Sequence, residues 1–182
     1  MQFSKKKNII AAIKNEEGLQ KALNSNVEVV FVLSGDICKI DDVVNRCHKA
    51  NKKVYLHIEM IEGFGKDEAA VRYIANNIKP DGIITTKSSL VKAATSVGLN
   101  SIFRVFMLDS QSIKTAISNI ERCKPTDVEI LPGLIPELIS YFSKNINANI
   151  IAGGLISTTK HIEAAFAHGA VACSTSESEL WG

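Results

Sequence analysis

A parallel (β/α)₈ barrel is the fold this sequence predicts, on three observations. Short β-rich runs recur every twenty-odd residues, and amphipathic stretches separate them. The runs number eight, at 9–13, 27–33, 54–60, 82–86, 101–107, 127–131, 149–152 and 170–173. The last two break into a diglycine, Gly153-Gly154, and a hydroxyl run, Ser174-Thr175-Ser176. In this architecture the loops after strands 7 and 8 are the usual phosphate site.

The intervening segments read in order as helices at 16–24, 41–50, 67–77, 88–97, 110–123, 135–145 and 158–168. Asp41, Asp67, Ser88 and Ser110 stand where N-caps belong. Gly98 and Gly169 stand where helices should stop, and Pro80 and Pro125 fall just before strands. A doubly wound open sheet is the competing arrangement. The closed barrel fits better because no unit lacks its helix, and no linker or low-complexity tract divides the chain. A single domain spanning 1–182 is therefore expected, with phosphate-binding loops after strands 7 and 8.

At 182 residues the chain is short for such a barrel, since roughly 250 is typical, so loops and helices must be trimmed. Hydrophobic residues at 46% and charged residues at 22% are those of an ordinary globular protein. No apolar run approaches the ~20 residues of a membrane span. The stretch at 9–13, behind a basic start, is too short for a signal h-region and lacks a convincing cleavage site. The four cysteines (Cys38, Cys47, Cys123, Cys173) form no C-x-x-C pair, so neither zinc nor a disulfide framework is indicated. A cytoplasmic protein is the simplest expectation. A net charge of +2 neither demands nor excludes a nucleic-acid partner.

Charges at the strand ends are the unusual feature. Residues i and i+2 share a strand face, so Leu56 and Ile58 can face the helices while His57 and Glu59 point into the barrel. Strand 4 sets Thr85 and Lys87 on one face, strand 5 sets Arg104 against Val105, and strand 6 sets Glu129 between the outward pair Val128 and Ile130. Four successive strands would then aim acid, base, base, acid at the axis, pairing as Glu59–Lys87 and Arg104–Glu129. Buried charges persist only when paired or ligand-bound. Either this half of the mouth holds a polar ligand, or the charges form a structural ion-pair layer. Ser34-Gly35-Asp36 and Leu131-Pro132-Gly133 add turns where backbone can approach a ligand. A bound phosphate would lie over the N–H groups of Gly153, Gly154 and the Ser174–Ser176 turn, helped by the hydroxyl of Ser174 or Thr175.

The segments taken together resemble the glycerol-3-phosphate-responsive antiterminator family, regulators of glycerol uptake operons. The resemblance runs almost end to end. It rests on Phe31-Val-Leu-Ser-Gly-Asp36, His57-Ile-Glu-Met-Ile-Glu-Gly63, Asp81-Gly-Ile-Ile-Thr-Thr-Lys87 and Arg104-Val-Phe-Met-Leu-Asp-Ser110. It continues through Glu129-Ile-Leu-Pro-Gly133, Ile150-Ile-Ala-Gly-Gly-Leu-Ile156 and Ser174-Thr-Ser176 with Leu180-Trp181. It implies a compact barrel without enzymatic turnover, no cofactor, glycerol 3-phosphate as effector, and a leader mRNA whose early termination is prevented. The family usually has Asp where this chain has Glu59, a difference of one methylene that bears on pocket shape. The sequence leaves room for a homo-oligomer and does not mark the RNA surface.

An enzyme acting on a small sugar phosphate, of isomerase or epimerase type, is the rival. His57-x-Glu59 resembles the His-x-Asp strand motif that binds metal in sugar-phosphate epimerases of this architecture. A metal needs three or four suitable ligands, and His48, His161 and His168 fall on helices or helix ends. Lys87 could form a Schiff base only with a depressed pKa, which two adjacent carboxylates would oppose. Basic clusters occur at Lys5-Lys6-Lys7 and at His48-Lys49 with Lys52-Lys53, but aromatics are only 6% and form no stacking motif. Cys173 reads as a small core residue. Trp181 is expected to close the barrel base or a subunit contact.

Overall fold

Each apolar run becomes one strand of a closed parallel barrel. Residues 8–182 are described by the structure, a computed structural model, and the Lys5–Lys7 cluster lies outside them. The strands are β1 (Asn8–Ile13), β2 (Val29–Val32), β3 (Lys53–His57), β4 (Gly82–Thr85), β5 (Asn100–Phe106), β6 (Asp127–Leu131), β7 (Asn149–Ala152) and β8 (Ala172–Thr175). Between them run α1 (Glu16–Asn24), α2 (Ile40–Lys49), α3 (Glu68–Tyr73), α4 (Ser88–Ser96), α5 (Ser110–Cys123), α6 (Pro136–Asn145) and α7 (Thr159–Ala167). The sheet order is sequential, and β1 closes it by pairing with both β2 and β8.

The side-chain period of two sorts the strands into an inner and an outer face. Ile10, Ala12, Val29, Phe31, Leu33, Tyr55, Ile84, Ile102, Ile151 and Ala172 fill the interior. Phe31 and Tyr55 meet edge to face there, ring centres 5.9 Å apart. Alternate residues, among them Val30, Leu56, Ile83, Val128 and Ile150, pack outward against the helices in two further clusters. β6 differs in giving the interior two carboxylates, Asp127 and Glu129, both buried. Asp127 accepts from Asn149 Nδ2 at 2.9 Å, and burial pushes its carboxyl up.

Several expected boundaries shift, each for a physical reason. The strand expected at 54–60 ends at His57, and residues Ile58–Met60 form a 3₁₀ turn. Ile61–Glu62 then pairs with Gly35–Asp36 in a separate two-stranded ladder above the barrel. The third helix passes into a π turn, Ile74–Ile78, before a left-handed Lys79 ends it. The last strand lies two residues later than expected because Asn8–Ala11 binds residues 172–175. Ser174 and Thr175 are therefore strand residues, and Ser176 alone forms the turn. Asp67 caps its helix as expected, accepting from Ala70 N at 2.9 Å. Asp109 caps α5 in place of Ser110, Lys87 precedes α4 in place of Ser88, and Asp41 lies inside α2.

Among the described residues β8 is not followed by an eighth α-helix. A 3₁₀ turn, Ser178–Leu180, stands there instead, and Trp181 packs into the outer core at 3% exposure. Its Nε1 donates to Thr175 O at 3.1 Å. Trp181 thus seals the outside of the β8–β1 seam and does not close the barrel base. Cys173 is fully buried as a core residue, and all four cysteines are free thiols.

Parity on β4 also departs from expectation. Gly82 and Ile84 share the inward face, which leaves Thr85 on the other, and Lys87 lies beyond the strand at the N-cap of α4. Gly82 is required because a Cβ would lie 2.5 Å from Tyr55 Cε1 and 2.7 Å from Asn100 O, the latter a backbone atom that cannot step aside. Gly82→Ala should therefore destabilise the fold by about 1–3 kcal/mol, the range for overpacking a filled core. Urea denaturation of the variant beside the wild type measures this.

Candidate ligand-binding site

The C-terminal ends of the strands surround a cavity of about 460 Å³. Its wall is built around one carboxylate. Cα register places Arg104 of β5 beside Glu129 of β6, and Arg104 Nε donates to Glu129 Oε2 at 2.6 Å with both side chains buried. Ser174 Oγ, inward on β8, donates to Glu129 Oε1 at 2.5 Å. Gly153 makes this convergence possible, because a Cβ there would collide with Glu129 and lie 2.7 Å from Ser174 Oγ. Glu129 is thus held by a cation and a hydroxyl, which is what a buried carboxylate requires. Arg104 spends only Nε on it. Among the described residues no acceptor takes the terminal guanidinium nitrogens, and Arg104 lines the cavity.

The β7 and β8 loops supply backbone donors on the other side. Gly154, in the left-handed region at φ 72°, lines the cavity with Leu155, Ser157 and Ser176. Among the described residues the N–H groups of Gly154 and Ser176 meet no acceptor. Gly153 N–H is already committed to Ile130 O at 3.0 Å, so it is not a donor for a ligand. The Thr175 hydroxyl is likewise committed, donating to Ile156 O at 2.5 Å and accepting from Glu177 N at 3.1 Å. Lys14, directly after β1, lines the same cavity with its exposed side chain, as does Glu177.

Of the residues singled out from sequence, Arg104, Glu129, Gly154, Ser174, Thr175 and Ser176 meet in this cavity, with Gly153 immediately behind the wall. Asp36, Lys87 and Gly133 do not. Asp36 lines a neighbouring cavity of about 270 Å³, where it accepts from Cys38 N at 2.9 Å. Gly133 is buried against Gly153, donating its N–H to Gly153 O at 2.6 Å, and serves loop packing. Lys87 is exposed at the N-cap position of α4, and among the described residues it meets no carboxylate, so the expected Glu59–Lys87 pair does not form.

Glu59 turns instead toward the start of α4. Its Oε1 accepts from Thr85 Oγ1 at 2.7 Å, Thr86 N at 2.9 Å and Thr86 Oγ1 at 3.1 Å. Its Oε2 lies 3.3 Å from His57 Nδ1, close enough for charge attraction when the imidazole is protonated but outside hydrogen-bond alignment. Burial alone would raise this carboxyl, yet His57 and the Thr85 and Thr86 donors outweigh it and hold it at about 2. Sequence reasoning passed over Lys14. The signal was present, since Lys14 directly follows the last apolar residue of its strand and so puts a charge at a strand end.

The fold and site define a cavity of mixed lining at the mouth of a (β/α)₈ barrel, anchored by one buried arginine–carboxylate pair. The sequence model of the glycerol-3-phosphate responsive antiterminator family matches residues 9–181, and the chain belongs to that family. It is 34% identical to the uncharacterized protein YgcP of Escherichia coli (strain K12), over 95% of this chain and 91% of that one. The crystal structure of the glycerol uptake operon antiterminator regulatory protein of Listeria monocytogenes superposes with a TM-score of 0.95 at 31% identity, covering 100% of this chain and 97% of that one. A glycerol uptake operon antiterminator-related protein from Thermotoga maritima gives 0.86 at 29% identity, covering 99% of each.

Two outcomes follow from this geometry. Arg104→Met leaves Glu129 buried without its cation and should cost about 3–5 kcal/mol, whereas Arg104→Met with Glu129→Gln should recover a substantial part; chemical denaturation of both variants checks this. Glu59 is depressed in the folded state relative to ~4.3 unfolded. Its stabilising contribution is therefore complete above that value and is lost as pH falls toward about 2. The Tm gap between wild type and Glu59→Gln should be widest near neutral pH and close progressively below pH ~4.

Proposed function

We propose that this protein is a transcription antitermination regulator that takes glycerol 3-phosphate into the mouth cavity and binds the leader mRNA of a glycerol operon in response. Family membership supports the class of protein. One observation carries the ligand. Arg104 is locked by Glu129 with its terminal nitrogens uncommitted, across a cavity from the uncommitted N–H groups of Gly154 and Ser176.

A phosphate dianion in that cavity gains charge-assisted bonds from Arg104 and Lys14 and backbone bonds from Gly154 and Ser176. The glycerol hydroxyls then fall toward Ser174, whose oxygen still has acceptor capacity after donating to Glu129. Glu129 is neutralised by Arg104 and is not a free base, so the arrangement suits binding without turnover. The phosphate-binding loops are those after β7 and β8, the barrel acts as one unit, and the effector is the only small molecule required. The cytoplasm, where leader transcripts are made, is its place of action. The ligand shifts RNA affinity by as much as its affinities for the RNA-competent and RNA-incompetent states differ.

Calorimetric titration with glycerol 3-phosphate and a gel shift of the leader transcript with and without it test the proposal together. Saturable ligand binding and at least tenfold tighter RNA binding in its presence are expected. RNA binding indifferent to the ligand would sink the regulator reading, and consumption of the ligand would replace it with the sugar-phosphate enzyme. Lys14→Met and Gly154→Val should each weaken ligand binding tenfold or more, about 1.4 kcal/mol, with the circular dichroism spectrum of the folded barrel retained. Unchanged affinity in both would place the phosphate elsewhere.

A further inference from the structure

Exposed lysines stand at both ends of the barrel, but the acids are concentrated at one. At the mouth, beside Lys14, Lys39, Lys66, Lys87 and Lys160, the first helical turns carry Glu16, Glu17, Asp41, Asp42, Glu68 and Glu137. On the opposite face, where helices end and strands begin, stand Lys49, Lys53, Lys79, Lys124 and Lys144, all exposed. Among the described residues none of these five lysines has a carboxylate within ion-pair distance. The acids on that face are fewer: Asp81 is tied to His48 at 3.0 Å and to Val54 N at 2.9 Å, leaving Glu28 and Glu121 exposed.

Helix dipoles favour lysine in a last turn, which accounts for Lys49 and Lys144. They do not account for Lys53, which begins a strand. At two of the helix-to-strand turns the dipole again favours a cation, since Lys79 and Lys124 are C-cap residues, but the backbone there opposes a side chain. Lys79 and Lys124 sit in the left-handed region at φ 56° and 49°, where a Cβ is strained. Comparable turns of the same barrel use residues suited to that backbone, Asn51 at φ 56°, Gly98 at 73° and Gly169 at 105°. A charge kept where the backbone prefers glycine points to a function for the charge. Beside Lys124 a groove of about 450 Å³ is lined by Asn145, Asn147, Pro125 and Glu121. The Asn147 amide and the Asn145 carbonyl oxygen, left over after Asn145 Nδ2 donates to Tyr141 O at 2.7 Å, suit the edge of an unpaired base, and Glu121 disfavours a phosphate inside the groove.

We infer that the face opposite the mouth is the RNA-docking surface, its lysines following the phosphate backbone of a single-stranded leader segment and the groove beside Lys124 taking a base. This rests on the RNA-binding reading proposed above, and it separates the effector site and the RNA site onto opposite ends of one barrel.

The test uses the full chain, glycerol 3-phosphate and a leader transcript of a glycerol operon, titrated over a salt series. Lys79→Gly with Lys124→Gly should leave Tm unchanged or higher and effector affinity unchanged. The same variant should weaken RNA binding at least tenfold and flatten the salt slope by about 1.4, the ~0.7 per lost contact of single strands. Lys53→Met with Lys144→Met, which leaves the left-handed turns intact, should weaken binding in the same sense. The mouth-side pair Lys66→Met with Lys160→Met should not. Wild-type RNA affinity in both opposite-face variants, or loss only in the mouth-side pair, overturns the surface while leaving the regulator reading standing. A wild-type protein that binds no leader RNA overturns both.

Discussion

A carboxylate inside a barrel of eight strands is the constraint on which the rest of the mouth depends. Glu129 has 1% exposure, so its charge must be met by protein groups. Arg104 meets it from the neighbouring strand in register, and Ser174 meets it from two strands away across β7. The strand between them must then have no side chain at the crossing, which fixes glycine at 153. Gly133 is required in turn, because its loop lies on the Gly153 turn with no space for a Cβ. One buried charge thereby determines residue types on four consecutive strands or their loops. The same pair orients Arg104 without consuming its outer nitrogens, so a structural requirement and a receptive surface come from one interaction.

Much of this was legible in the sequence, and the exceptions have identifiable causes. The eight-unit alternation and the Arg104–Glu129 pair follow from period-two patterning and from charges at strand ends, and the place of Gly154 and Ser174 at the mouth follows from the diglycine and the hydroxyl run after the last two apolar segments. The Glu59–Lys87 pair failed on parity. Thr85 and Lys87 look inward if β4 is read from its C-terminal end, but Tyr55 claims the space at Gly82 and sets the strand the other way. Glu59 was misplaced for a related reason, since the chain leaves the ladder at His57 and winds a 3₁₀ turn that no alternation could reveal. Thr175 and Gly153 were assigned to a ligand because sequence shows which groups can donate, not which are already spent on Ile156 O and Ile130 O. The position of β8 depended on pairing with residues at the far end of the chain, which a local window cannot contain.

Glu59 has a local role. From the 3₁₀ turn its side chain reaches Thr85 and both donor groups of Thr86. It ties the end of β3 to the entry of α4 beside the mouth while leaving the cavity wall itself to other residues. Its contribution is therefore the bracing of a loop next to the cavity, and the charges that line the cavity are Arg104, Glu129, Lys14 and Glu177.

The closure of the sheet by its first and last strands carries a consequence for how the molecule is made. β1 is held by β2 on one edge, but its other edge waits for residues 172–175. Until that segment arrives, the nascent sheet carries two raw edges of apolar strand, the state most prone to pair with a neighbour. The interior offers no relief in the interim, since Ser174 has yet to reach Glu129 and the Trp181 seam is unsealed. Closure thus depends on a pairing between the two ends of the described chain, the kind of long-range contact that slows folding.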